Sequence, residues 1–595
     1  MMSSSTSIGN VISISSSSII LRLSSKVSSG LLMLEGRTHK VGQVGSFIRI
    51  PQGYNNLYGV IAASNESSLI DEFDGIQSDR RLLTVELIGE SSGGFFERGI
   101  SQYPSVNDEV HLVLDKDLRT IYGDHGQNMV CIGKLSSSES IDVNIDVDKL
   151  VTRHSAILGS TGSGKSTSVS SILRSISNKS VLKSSSARII LIDIHGEYSA
   201  ALRDISKTFS IEPKENEEKL VVPYWSISPE KLIDFLCGNI NETSKNNVLE
   251  MITEHKKNLA KINDLNYIDE DKITAYSPIP FDIKKIWHEL CYNDTVTYLD
   301  EEKINPAYNN DQKGDSSKLI PPKFLPANPG TKPPQKGGNN LITRNLEQMR
   351  CRLLDNQFSF FLSPDDYTPQ PNGIIKKDIN ALLSSWIGHD KPISIIDLSG
   401  MPSTQLDMLL GSILDIIFEA AIWGRNLAIG MKKRPVLLVL EEAHRYLSIN
   451  DSGLSKYMVQ RIAKEGRKFG VGAMIVSQRP SEIDETILSQ CGTLFALRLS
   501  NSNDRSRVKS AMSDGLSALI DSLPILRTGE AIVIGEATKL PSRCKIKLPP
   551  EGFYPDSADP QVSISWNSNN TDTEDDYIPL IKAWRKSKPL KDEEK

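Results

Sequence analysis

The run Gly159-Ser160-Thr161-Gly162-Ser163-Gly164-Lys165-Ser166 fits the pattern GxxxxGK[ST] in full, and Thr167 leads it into a stretch to Ile176 with helical apolar spacing. Glycines let the backbone curl so that its amides face a phosphate, and the N-terminus of a following helix adds a favourable dipole. Lys165 is then placed to reach the β and γ phosphates of a nucleotide, and the Ser166 hydroxyl to ligate Mg2+. The apolar Ala156-Ile157-Leu158 just upstream supplies the strand that this loop requires.

Hydrolysis needs a carboxylate near magnesium and usually a second one to polarise water. Val436 to Leu440 is apolar throughout and is followed by Glu441-Glu442-Ala443-His444. A strand buried on both faces and ending in two acids meets the requirement, with Glu441 assigned to magnesium and Glu442 to the attacking water. The plainer alternative is an ordinary surface acid pair, and His444 either senses substrate or simply packs. A second acidic strand end, Ile189 to Asp193 before Ile194-His195-Gly196-Glu197-Tyr198, offers Asp193 to the metal or water network. Helix capping by Asp193 and Glu197 is the alternative there. Ser477-Gln478-Arg479-Pro480 closes another apolar strand, and Gln478 is the candidate γ-phosphate sensor, unless it only satisfies backbone groups. The basic stretch Gln460 to Gly470 admits three readings: a solvated face, a DNA-facing surface, or an arginine supplied to a neighbouring subunit's nucleotide.

These groups need a scaffold. Strand candidates at Ser155–Leu158, Arg188–Asp193, Ile393–Asp397, Val436–Leu440, Gly472–Ser477, Thr493–Leu499 and Ala531–Ile534 alternate with helical patterns, which predicts one large, mostly parallel α/β sheet. Residues 148–228 and 341–550 are assigned to it. Residues 1–147 carry short alternating runs broken by Gly, Ser, Asn and Pro, the spacing of a small β-barrel, with the first Ser-rich residues open to reading as a flexible leader. Residues 229–340 read as a helical insertion ending in a Pro, Gly, Asn and Lys-rich mobile loop over 305–340. Residues 551–595 read as a tail or short peripheral helix anchored by Trp584 and Ile578 to Ile581.

Composition bounds the partners. Lys and Arg number 68 against 74 Asp and Glu, a net charge of -6 over 595 residues, so coating nucleic acid by bulk charge is excluded and a local basic lining is not. The longest apolar stretch, Met408 to Gly424, is interrupted by Asp415 and Glu419, which argues against a membrane span. Six scattered cysteines without CxxC spacing read as reduced core thiols. With no signal-peptide pattern, a cytosolic protein is expected.

Taken together, the motifs resemble the HerA family of prokaryotic hexameric DNA translocases, within the HerA and FtsK group of RecA-like motor ATPases. ILGSTGSGKST, IDIHGEY, LEEAHRY, KEGRKFG, SQRP and GEAIVIGEA stand in that family's order. Val41 to Pro51, then Arg98-Gly99 and Tyr103-Pro104, are similar to its N-terminal barrel. The resemblance implies a RecA-like P-loop core with an N-terminal barrel and an inserted helical subdomain. It also implies ATP and Mg2+ as cofactors, and a homohexamer around double-stranded DNA. It favours Arg467 as the trans-acting arginine and suggests that Arg153 contacts nucleotide. Glu441-Glu442 departs from the commoner Asp-Glu pair, keeping the charge but lengthening the first ligand. Relatives of this kind work with an effector, either a NurA-like or other nuclease or a sirtuin-like NADase. No such motif occurs in this chain, so the barrel is the expected docking surface for a partner.

Overall fold

The computed structural model describes residues 6–586 apart from 17, 28–29, 35, 71–76, 94, 124–125, 179–187, 266, 330–331, 338–341, 402, 512–516, 558–560 and 568–572. The first leader residues, the end of the expected loop at 338–340 and the last residues of the tail lie outside that set.

Alternation builds the N-terminal region. Strands β1 (Ser7–Ile14), β2 (Ser18–Leu23), β3 (Phe47–Gln52), β4 (Asn55–Ile70), β5 (Gln77–Ser92) and β6 (Glu109–Leu112) pair in the order β2-β1-β6-β3-β4-β5, and β5 pairs back onto β2. In β2, Ile19, Leu21 and Leu23 are buried while Arg22 is exposed. One face of every strand therefore fills a barrel interior with Val11, Ile48, Ile50, Leu57, Val85 and Val110, and the six strands close on themselves while the short strand Phe95–Arg98 pairs on the end of β5.

The barrel is shorter than the expected 1–147. The hairpin of β7 (Met129–Leu135) and β8 (Ser138–Asp146) instead joins a second, twelve-stranded sheet. Its further strands are β9 (Ser155–Leu158), β10 (Ile189–Asp193), β11 (Ser206–Ser210), β12 (Glu218–Lys219), β13 (Ile393–Asp397), β14 (Val436–Leu440), β15 (Val471–Ser477), β16 (Thr493–Ala496), β17 (Glu530–Gly535) and β18 (Ser542–Ile546), in the order β8-β7-β18-β17-β16-β9-β15-β14-β10-β13-β11-β12. An amphipathic hairpin suits a barrel wall or a sheet end equally well by pattern, and its pairing with β18 decides the matter.

From β16 to β11 the neighbours run parallel, as predicted. Strands β9, β10, β13, β14 and β15 are buried at every residue, which is why they read as unbroken apolar runs. Helices α1 (Lys165–Ile176), α2 (Ser403–Trp423) and α3 (Leu454–Phe469) accompany this sheet. All seven strands expected from sequence are present; β11, with the polar sequence Ser-Lys-Thr-Phe-Ser, was not among them.

The barrel and sheet form one compact unit, and Lys219–Leu383 with Ser557–Lys595 form another. The second unit extends beyond the expected 229–340, because the helix Thr343–Leu354 packs on Pro229–Cys237 and Ile283–Thr295. The described residues of 305–337 make packed contacts that composition did not suggest. Tyr308 stacks on Phe324, which meets Tyr292 edge-on, and Asp315 and Ile320 exchange backbone bonds. Arg350 donates to the Leu319 carbonyl. The tail does contain a short helix, Ile578–Lys586, but Ile578, Leu580 and Trp584 are exposed rather than anchoring it. Among the described residues no helix is long and apolar enough to cross a membrane.

Candidate nucleotide-hydrolysis site

The phosphate-binding pattern occupies the turn between β9 and α1, at the carboxyl edge of the sheet. Gly162 and Gly164 adopt φ values of 72° and 86°, left-handed conformations that only glycine takes cheaply. A Cβ on Gly164 would stand 3.0 Å from the Gly529 nitrogen. The loop is braced from two sides. Ser160 donates through its backbone N–H and its hydroxyl to the Arg498 carbonyl at 2.9 and 2.8 Å. Arg498 returns a bond from Nη2 to the Gly162 carbonyl at 3.0 Å, and the Gly529 N–H donates to Ser163 O at 2.9 Å. Sequence reasoning missed Arg498 and Gly529. Their one signal is position, since each adjoins a strand, β16 or β17, on the side of the sheet next to β9.

Lys165 opens α1 and is buried. Its Nζ donates to Glu442 Oε1 and lies 3.6 Å from Glu441 Oε1. Gln478, at the end of β15, donates to the same Glu442 oxygen, and Thr161 donates to Gln478 Oε1. Four predicted residues from three segments thus form one connected group. His444 Nδ1 stands 3.1 Å from Glu442 Oε2 and 3.3 Å from Ser477 Oγ.

The two glutamates differ sharply in charge. Burial pushes Glu441 up to about 8, with the Glu442 charge adding to it and Lys165 opposing. Burial would raise Glu442 too, but His444, Lys165 and Gln478 prevail and hold it down at about 2. At neutral pH the pair therefore keeps a proton on Glu441 and a full charge on Glu442. Two tyrosines line Glu441. Tyr446 donates to its carbonyl at 2.9 Å, and the fully buried Tyr198 lies against its carboxyl group and Ser166.

A magnesium ion fits these residues. Glu441 Oε2 is buried without a hydrogen-bond partner, and Ser166 follows Lys165 at the start of α1. Among the described residues no cluster of three His, Cys, Asp or Glu could hold a metal. The ion would accordingly be shared by Ser166, Glu441 and nucleotide phosphates, a usual magnesium arrangement. Asp193 has a local task. Its carboxylate accepts backbone N–H bonds from His195, Gly196 and Tyr198 at 3.2, 2.8 and 2.9 Å, holding the turn that places Tyr198. Burial pushes it up to about 6.

Arg153 and Arg467 are not brought to this loop. Arg153 precedes β9 and pairs with Glu536 at 3.2 Å, and Arg467 is exposed in the last turn of α3, just before β15. Both stand at the amino edge, one strand length from the phosphate loop, about 20 Å for the seven residues of β15.

Residues 130–417 match the family model described as "Helicase HerA, central domain", a match that begins at β7. The DNA double-strand break repair helicase HerA of Sulfurisphaera tokodaii is 29% identical over 449 residues, 74% of this chain and 73% of that one. The HerA of Pyrococcus furiosus is 26% identical over 500 residues, 79% of this chain and 78% of that one. Among solved structures, VirB4 of Thermoanaerobacter pseudethanolicus is similar at 15% identity with a TM-score of 0.44, covering 72% of this chain and 99% of that one.

Proposed function

The chain belongs to the HerA family of P-loop ATPases, and from that premise we propose that it hydrolyses ATP to move double-stranded DNA through a homohexameric ring. The observation that carries the reading is the connected group of Lys165, Glu442, Gln478 and Thr161 beside a braced phosphate loop. Lys165 leaves Glu442 for the β and γ phosphates when a triphosphate binds, which frees the Glu442 carboxylate to take a proton from water. Ser166 and Glu441 would hold a magnesium ion, which would supply positive charge to neutralise the phosphates. Gln478, tied to both the loop and Glu442, reports the presence of the γ-phosphate. Arg467 and Arg153 stand too far away to serve their own loop, which supports their acting on the nucleotide of a neighbouring subunit. The barrel is the proposed docking surface for a nuclease or NADase partner.

The test is ATP turnover with and without duplex DNA, and displacement of a roadblock from DNA by the purified protein. DNA-stimulated turnover with displacement is expected. A second reading, a nucleotide-gated scaffold that activates an effector without translocating, draws support from Arg98. This barrel residue donates to the carbonyls of Gly535, Thr538 and Lys539 in the ATPase region. Activation of a partner without displacement would favour that reading.

A further inference from the structure

His444 has no task in the scheme above, yet it stands against the residue on which the chemistry depends. We propose that His444 is a positioning residue that holds Glu442 by its second carboxylate oxygen once Lys165 has left for the phosphates. The inference rests on Glu442 being the group that activates water.

Both Lys165 and Gln478 donate to Glu442 Oε1. The other oxygen, Oε2, has no completed hydrogen bond, although His444 Nδ1 is only 3.1 Å away. Catalytic hydrogen bonds are often poorly aligned before substrate arrives and tighten afterwards. A carboxylate only accepts, so a bond to Oε2 requires the proton on Nδ1. The ring is steadied by its neighbour: Ser477 Oγ lies 3.3 Å from the same nitrogen and accepts the Arg479 N–H at 3.1 Å. Glu442 itself sits at φ 45°, so the backbone fixes where its side chain starts, and rotation about the side-chain bonds is what remains to be controlled.

Binding of a triphosphate removes the other restraints in turn. Lys165 is drawn to the phosphates, and Gln478 turns toward the γ-phosphate if it senses it. His444 is the donor near Glu442 whose position does not depend on the nucleotide, because it is held between the ends of β14 and β15.

The experiment uses the full chain, with steady-state ATP turnover and equilibrium ATP binding measured side by side. His444→Ala is expected to lower kcat about tenfold while KM and ATP affinity stay within about twofold. His444→Asn, whose amide nitrogen stands where Nδ1 stands, recovers most of kcat, and His444→Gln, whose amide reaches the Nε2 position, does not. Unchanged kcat in His444→Ala overturns the proposal, as does a loss confined to KM or an equal loss in the Asn and Gln variants, which would reduce the ring to packing. Glu442→Gln separates the two levels. Normal turnover in that variant removes the premise, whereas its inactivity beside a fully active His444→Ala removes this inference alone.

Discussion

At the carboxyl edge of the parallel sheet Lys165, Glu441 and Glu442 are buried and tied to one another, whereas at the amino edge Arg434, Lys464, Arg467 and Lys468 stand exposed, with no ion pair among the described residues. Burial explains the contrast. A charge removed from water must be compensated within the chain, and here Lys165 faces Glu442 while burial keeps a proton on Glu441. An exposed cation needs no partner to be stable. The amino edge therefore keeps these four cations in solvent, beside the exposed Glu465, in a chain whose net charge is -6.

Breaking the buried edge should have the largest effect. Glu442→Gln is expected to lower ATP turnover by about a hundredfold or more while ATP remains bound, read by phosphate release and by nucleotide binding. Arg467→Ala should come close behind, with a loss of up to about a thousandfold if its guanidinium serves a neighbour. Mixing that variant with Glu442→Gln chains tests the assignment directly, since hybrid assemblies can rebuild one intact site from two defective chains. No recovery on mixing, or normal turnover in Arg467→Ala, would return the amino edge to a solvated face.

A third prediction concerns pH. Folded Glu441 keeps its proton up to about 8 against an ordinary 4.5. The folded state therefore binds more protons than the unfolded one between those values, and the nucleotide-free protein loses stability as pH rises through that window. Glu441→Gln should flatten the dependence of melting temperature on pH, and identical slopes for both proteins would refute the assignment. The smallest effect is expected for Arg153→Ala. Its pair with Glu536 is about 40% exposed on each side, so stability should change by no more than about 0.5 kcal/mol. A fall in turnover beyond that would mark a nucleotide contact.

What the sequence disclosed follows the same division. Gly159 to Ser166, Glu441-Glu442 and Gln478 were legible because each sits at the end of a strand buried on both faces, where composition and position coincide. Arg498 and Gly529 were not, since they brace the loop through carbonyl and amide groups that any residue type carries. Asp193 was left with two readings for a related reason: an acid at a strand end looks the same whether it meets a metal or three backbone N–H groups. In the second unit, Pro and Asn content concealed the packing of Tyr292, Tyr308 and Phe324, because three aromatics spread over more than thirty residues leave no periodic trace.

Strand β17 has a mechanical consequence. Gly529, immediately before it, supports the phosphate loop, and Gly535, its last residue, receives the Arg98 clamp from the barrel. Six residues of extended chain, about 20 Å, are all that separates the two attachments. An extended strand within a sheet stretches little, so β17 holds its two attachments, one to the phosphate loop and one to Arg98, at a nearly fixed separation.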